Sequence, residues 1–145
     1  MMATGHARLA ALAASAALAA CASHAPGASA PASLEGTSWR LVQINLTAGA
    51  RPAIERSRYT IGFGAAGVLN VRFDCNRGRG SWQSAAAGQL EFGPMALTRA
   101  MCPVGSLHDE LVRQWPNVRS YLFKDGRLFL TLMEGGGTIE FEPSP

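Results

Sequence analysis

The sequence predicts a mainly β (α+β) fold: a small antiparallel, barrel-like sheet of about seven or eight strands with one helix packed against it. Three observations carry this. Apolar and polar residues alternate over short runs, the period of a strand with one buried face. Gly, Pro and Asp-Gly turn signals interrupt those runs at intervals of about 8–12 residues. A single segment, opening at Ser106, has helical spacing. The chain has 145 residues, 48% of them hydrophobic, which suits one such domain and leaves no room for two.

Trp39 and Leu41 alternate with Arg40 and Val42, so residues 38–45 read as the first strand. Residues 46–57 are rich in turn formers and read as a loop. Tyr59, Ile61 and Phe63 alternate with Arg58, Thr60 and Gly62; after a turn at 64–67, Leu69, Val71 and Phe73 alternate with Asn70, Arg72 and Asp74, which makes a hairpin. The run from Cys75 to Gly80 is expected to break the ladder, with Ser81, Trp82 and Gln83 resuming it. Residues 89–92 form a short strand ended by Gly93-Pro94, and 95–99 read as extended or irregular.

Ser106 opens the helix, with Asp109 and Glu110 in the first turn. Leu107, Leu111 and Trp115 share a face, and Pro116 must kink or end the helix because it lacks an N–H donor. Asp125-Gly126 between apolar runs is a strong hairpin signal joining 121–123 to Leu128, Leu130 and Leu132. Gly135 to Gly137 turn the chain into a last strand through Thr138, Ile139 and Phe141.

The N-terminus reads as an address. Residues 1–8 carry one fixed positive charge, Arg8, and 9–20 are Leu and Ala with one Ser, the two parts of a secretory signal. Leu18-Ala19-Ala20-Cys21 resembles a bacterial lipobox. That likeness implies a signal peptide over 1–20, cleavage before Cys21, a thioether-linked lipid on Cys21 and an acylated new N-terminus; palmitate is the expected acyl chain. The alternative is an ordinary signal cut near Ala20 with Cys21 incidental. Ala22 follows in place of Asp, and by likeness to sorted lipoproteins this favours the outer membrane, with the domain facing the periplasm. Residues 21–33 are then the lipidated N-terminus and a Pro/Ser/Ala tether, and 34–143 the folded domain.

Two cysteines remain, Cys75 and Cys102. In an oxidising compartment they are expected to pair, closing a loop of about 28 residues for roughly 3–4 kcal/mol in the chain-entropy model. The alternatives are two buried free thiols or a reactive Cys, although the chain has no Cys-x-x-Cys.

The segments Trp39-Arg40-Leu41, Gly67-Val-Leu-Asn-Val-Arg-Phe-Asp-Cys-Asn76 and Thr98-Arg-Ala-Met-Cys-Pro103, followed by Glu110, Tyr121 and the 128–141 hairpin, resemble the META domain family of HslJ-like bacterial lipoproteins. The family's Gly-Cys-Asn stands here as Asp74-Cys75-Asn76. Its Thr-x-Met-x-Cys stands as Thr98-Arg99-Ala100-Met101-Cys102, with Ala replacing the first Met. The resemblance implies a mainly antiparallel, barrel-like sheet closed by one helix, no established enzymatic activity, and links to stress response, envelope integrity, antibiotic tolerance and secretion.

The chemistry on offer is sparse. Net charge is +3, from 13 basic and 10 acidic residues, too small an excess to announce a nucleic-acid partner. His108 is the only histidine in the domain, no metal-ligand spacing is present, and no Gly-x-Ser-x-Gly elbow exists. Asp109 and Glu110 are adjacent and point to different helix faces. No catalytic residue, metal ligand or cofactor is assigned. Arg72, Arg77 and Arg79, with Gly78 and Gly80, form a candidate anion-binding loop that Arg51, Arg56 and Arg58 would extend. Lipopolysaccharide phosphates and anionic headgroups are the candidate anions, and the bland alternative is that arginines keep a sheet edge soluble. The inward aromatics read as core, with room in a small barrel for an apolar pocket. The expected function is that of a non-catalytic, lipid-anchored envelope protein that binds or scaffolds another component. A lipid- or peptide-binding barrel with a pilot or chaperone role in secretion is the runner-up, and an enzyme comes third.

Overall fold

Alternating side chains give two-faced strands, and in the computed structural model those strands join into one curled antiparallel sheet. The structure describes residues 1–2 and 33–145; the signal segment, Cys21 and the tether up to residue 32 lie outside the described residues. The elements are β1 (Thr37–Leu46), β2 (Gly49–Pro52), β3 (Tyr59–Phe63), β4 (Val68–Phe73), β5 (Asn76–Gln83), β6 (Glu91–Leu97), α1 (His108–Gln114), β7 (Val118–Lys124), β8 (Arg127–Leu132) and β9 (Thr138–Pro143). The sheet order is β6-β5-β4-β3-β1-β9-β8-β7, with the short β2 paired to β1. The curl brings its ends together: Leu90 N donates to Arg119 O at 3.0 Å, Tyr121 N to Gly88 O at 2.8 Å, and Gln89 bridges Ser120. α1 covers the remaining gap through Leu107, Leu111 and Trp115, all buried.

The interior is filled. Phe63, Phe73, Phe141, Leu41, Ile61 and Leu130 are among the side chains less than 2% exposed. The larger aromatics stack on one another: Phe92 on Trp115 at 4.1 Å, Phe73 edge-on to Trp115 at 5.0 Å, and Phe63 edge-on to Trp82 at 5.4 Å. The inward periodicity therefore marks packed core, and the aromatics do not line an interior cavity.

Four expectations are corrected. The 46–57 loop contains β2, whose four exposed residues carry no apolar alternation to reveal it. The Cys75 to Gly80 run does not break the ladder: β5 is continuous, with Arg72 opposite Arg77 and Val71 opposite Gly78. Its inward positions need glycine because the curl folds β6 tightly over β5. A Cβ on Gly78 would sit 2.6 Å from Leu97 Cδ1 and 2.7 Å from Ala96 O. β6 runs through Gly93-Pro94 to Leu97, since an edge strand tolerates a missing N–H. The helix begins at His108, not Ser106: Ser106 Oγ accepts from His108 N at 3.2 Å, while Leu107 N donates to Tyr59 Oη at 3.0 Å. Pro116 ends it in a single tight turn over Trp115–Asn117, as its ring requires.

Candidate functional site

Alternation on β4 buries Leu69, Val71 and Phe73 and turns Asn70 and Arg72 outward; on β5 it turns Arg77 and Arg79 outward. Register then does the assembly. Arg72 lies directly across from Arg77, Asn70 across from Arg79, and Thr60 of β3 across from Arg72. The three arginines singled out from sequence thus share one outer face. Like charges directly opposite repel, and no carboxylate offsets them: among the described residues, Arg72, Arg77, Arg79 and Arg99 form no salt bridge. Arg72 is oriented by its Nε, which donates to Asp74 O at 3.1 Å. A surface cavity of about 440 Å³ runs along this face past Ser38, Thr60, Gly62 and Asn70 to Arg72 and Arg77.

The expected extension of this cluster does not form. Arg51 is held by Glu110 at 3.3 Å, Arg56 by Glu142 at 2.9 Å, and Arg58 by the buried Asp74. Arg51 and Arg56 are paired with partners from distant parts of the chain, which the sequence could not supply, and Arg58 with Asp74 across the β3–β4 hairpin and with the neighbouring Glu55.

At one end of the barrel Cys75 and Cys102 form a disulfide, with Cα atoms 5.4 Å apart across 27 positions. The free-thiol alternatives fall. Buried Asn76 reinforces the bridge. Its Nδ2 donates to Ala100 O at 2.9 Å, and its Oδ1 accepts from Ala100 N at 2.7 Å and Thr98 Oγ1 at 2.8 Å. The loop so held carries Met101 and Val104, 99% and 108% exposed, beside Ile54 at 95%. Ile54 and Val104 line one surface cavity of about 200 Å³; Met101, Val104 and Arg99 line a neighbouring one of about 530 Å³. Sequence reading missed this apolar trio. The signal it left was Ile, Met and Val standing out of period in Pro- and Gly-containing loops.

His108 also borders the second cavity, and its Nδ1 is 2.8 Å from Asp109 Oδ1. Its Nε2, the nitrogen such a pair would present to a substrate, is buried and has no partner. The neighbouring Cys102 is tied up in the disulfide, and Ser106 Oγ is engaged by His108 N. Among the described residues no three His, Cys, Asp or Glu side chains are grouped to hold a metal ion, and no helix is long and apolar enough to cross a membrane.

A family model described as META domain matches residues 32–145. Three solved structures are similar in fold. A protein from Burkholderia xenovorans solved by NMR has a TM-score of 0.63 at 22% identity, covering 83% of this chain and 97% of that one. A second NMR structure has a TM-score of 0.58 at 18% identity, covering 76% and 91%. The crystal structure of a DUF4847 family protein from Bacteroides vulgatus has a TM-score of 0.54 at 15% identity, covering 75% and 93%. No curated protein matches this chain.

Proposed function

The chain belongs to the META domain family, and from that premise we propose that it is a non-catalytic, lipid-anchored envelope protein, held by Cys21 in the outer membrane with its domain facing the periplasm. Its task in this reading is to bind or scaffold a phosphate-bearing envelope component through Arg72, Arg77 and Arg79. The observation that carries the reading is the register that stacks these arginines on one outer face without a carboxylate. Guanidinium groups offer paired donors that match phosphate oxygens, and an arriving phosphate relieves the repulsion between Arg72 and Arg77. The filled interior supports recognition on the surface over an enclosed lipid or peptide ligand. The buried His108 Nε2 supports a non-catalytic role.

Among the described residues the buried apolar core runs from Leu34 to Phe141, within the 32–145 span that the family model matches, so this span is the domain to test. This domain is expected to float with vesicles containing phosphatidylglycerol, more weakly as salt rises. Arg77→Ala with Arg79→Ala should lower that binding about thirtyfold, at roughly 1 kcal/mol per arginine near an anionic surface. Unchanged binding by the double variant would remove the reading.

A further inference from the structure

The geometry points to a second contact at the disulfide end of the barrel: Ile54, Met101 and Val104 insert into the surface of an anionic bilayer, with Arg77 and Arg99 on the headgroups. The three apolar side chains are almost wholly exposed, on two neighbouring loops that share a cavity wall. Met101 and Val104 are not free to fold back onto the core. The Cys75–Cys102 bridge, the Asn76 hydrogen bonds and Leu107 N on Tyr59 Oη hold the 98–107 segment at both ends. Their exposure is thus fixed by the fold.

The shape argues for lipid. Side chains this exposed stand proud of the surface, each with little protein beside it, and a fluid headgroup layer accommodates separate protruding tips. The charge agrees. Thr98 N donates to Arg77 O at 2.9 Å and Arg77 N to Thr98 Oγ1 at 3.0 Å, which sets Arg77 and Arg99 at the root of the loop that carries Met101 and Val104. The acids at this end are Asp74 and Glu55, which share Arg58, and the exposed Asp109, whose carboxylate lies 2.8 Å from His108 Nδ1; four arginines, Arg58, Arg72, Arg77 and Arg99, stand against these three carboxylates. Among the described residues at this end, the arginines left without a carboxylate are Arg72, Arg77 and Arg99.

For its charge the inference rests on the arginine reading above, and for its orientation on the proposed anchor. Gly36 N donates to Phe63 O, so the chain enters the domain at the end of β3 opposite Tyr59 and the apolar loops. A tether of about 12 residues spans up to roughly 40 Å when extended. The five residues of β3 rise only about 17 Å. A tether of that length exceeds the rise of β3, which allows the loop end to meet the same leaflet that holds the lipid.

The test uses residues 32–145 and flotation with phosphatidylcholine vesicles, with and without roughly 30 mol% phosphatidylglycerol. The triple variant Ile54→Ser, Met101→Ser, Val104→Ser should lose about tenfold or more in binding to the anionic vesicles, from three apolar side chains no longer buried. All three positions are exposed, so circular dichroism should be unchanged. Wild-type binding by the triple variant, with loss in Arg77→Ala/Arg79→Ala, overturns insertion and leaves the arginine reading standing. Loss in the triple variant without any dependence on phosphatidylglycerol leaves insertion and overturns the arginine reading. Failure of the wild-type domain to float with either vesicle overturns both.

Discussion

At the turn between β4 and β5, two side chains do work their neighbours cannot. Asp74 has φ +59°, in the left-handed region that favours glycine. Asp is among the few other residues that tolerate it, and its carboxylate lies against Arg58. Asn76, two residues on, is fully buried and takes three hydrogen bonds to Thr98 and Ala100. It holds the 98–102 segment independently of the neighbouring disulfide. Asn76→Ala would remove three hydrogen bonds to Thr98 and Ala100 from a fully buried position, and is expected to cost about 2–4 kcal/mol with the disulfide intact. Chemical denaturation under oxidising conditions measures this; a loss below about 0.5 kcal/mol would mean the bridge alone suffices.

The elements were legible wherever one face is buried and the turn is local. Tyr59–Phe63 and Val68–Phe73 form as read, and Asp125-Gly126 makes the two-residue turn with φ of +51° and +72° that such hairpins need. The three arginines were legible as a group, but as a loop; that Arg72, Arg77 and Arg79 share one sheet face follows only from the pairing of β5 with β4. What failed was anything set by a distant strand. In β5, Gly78 and Gly80 looked like breakers, yet they sit in the ladder because β6 closes over them. The ion pairs that remove Arg51, Arg56 and Arg58 from the candidate site, and the loops that bring Ile54 beside Val104, are likewise tertiary and left no periodic trace. Gly78→Ala tests the account of β5. The added methyl meets Leu97 and Ala96, and should cost about 1–3 kcal/mol by overpacking. If β5 were the loop its sequence suggested, the substitution would be neutral in thermal melts.

On the scale of the whole molecule, the sheet is fastened where its first and last strands meet. β1 and β9 pair from Trp39 opposite Pro143 to Asn45 opposite Thr138, so the two chain ends of the domain join the two halves of the sheet at its centre. Glu142 on β9 accepts from Arg40 Nε on β1 at 2.7 Å and from Arg56 Nη1 at 2.9 Å, tying both strands to the segment before β3. Burial pushes the Glu142 carboxyl upward, but the hydrogen bonds from Arg56 and Arg40 outweigh it, and the group titrates below its ordinary value. A carboxyl depressed by folding stabilises the native state at pH values above its unfolded pKa, about 4.3 for Glu. That contribution fades as pH falls through the lower, folded value, where both states are protonated. Glu142→Gln keeps the shape and removes the charge. The variant should therefore be less stable than wild type at pH 7, and the gap should narrow below about pH 5 and close in stronger acid. Urea midpoints measured across that range give the answer: a gap that stays constant with pH would show that packing of Glu142, and not its charge, joins the strands. Because both arginines are partly exposed, added salt should shrink the pH 7 gap as well.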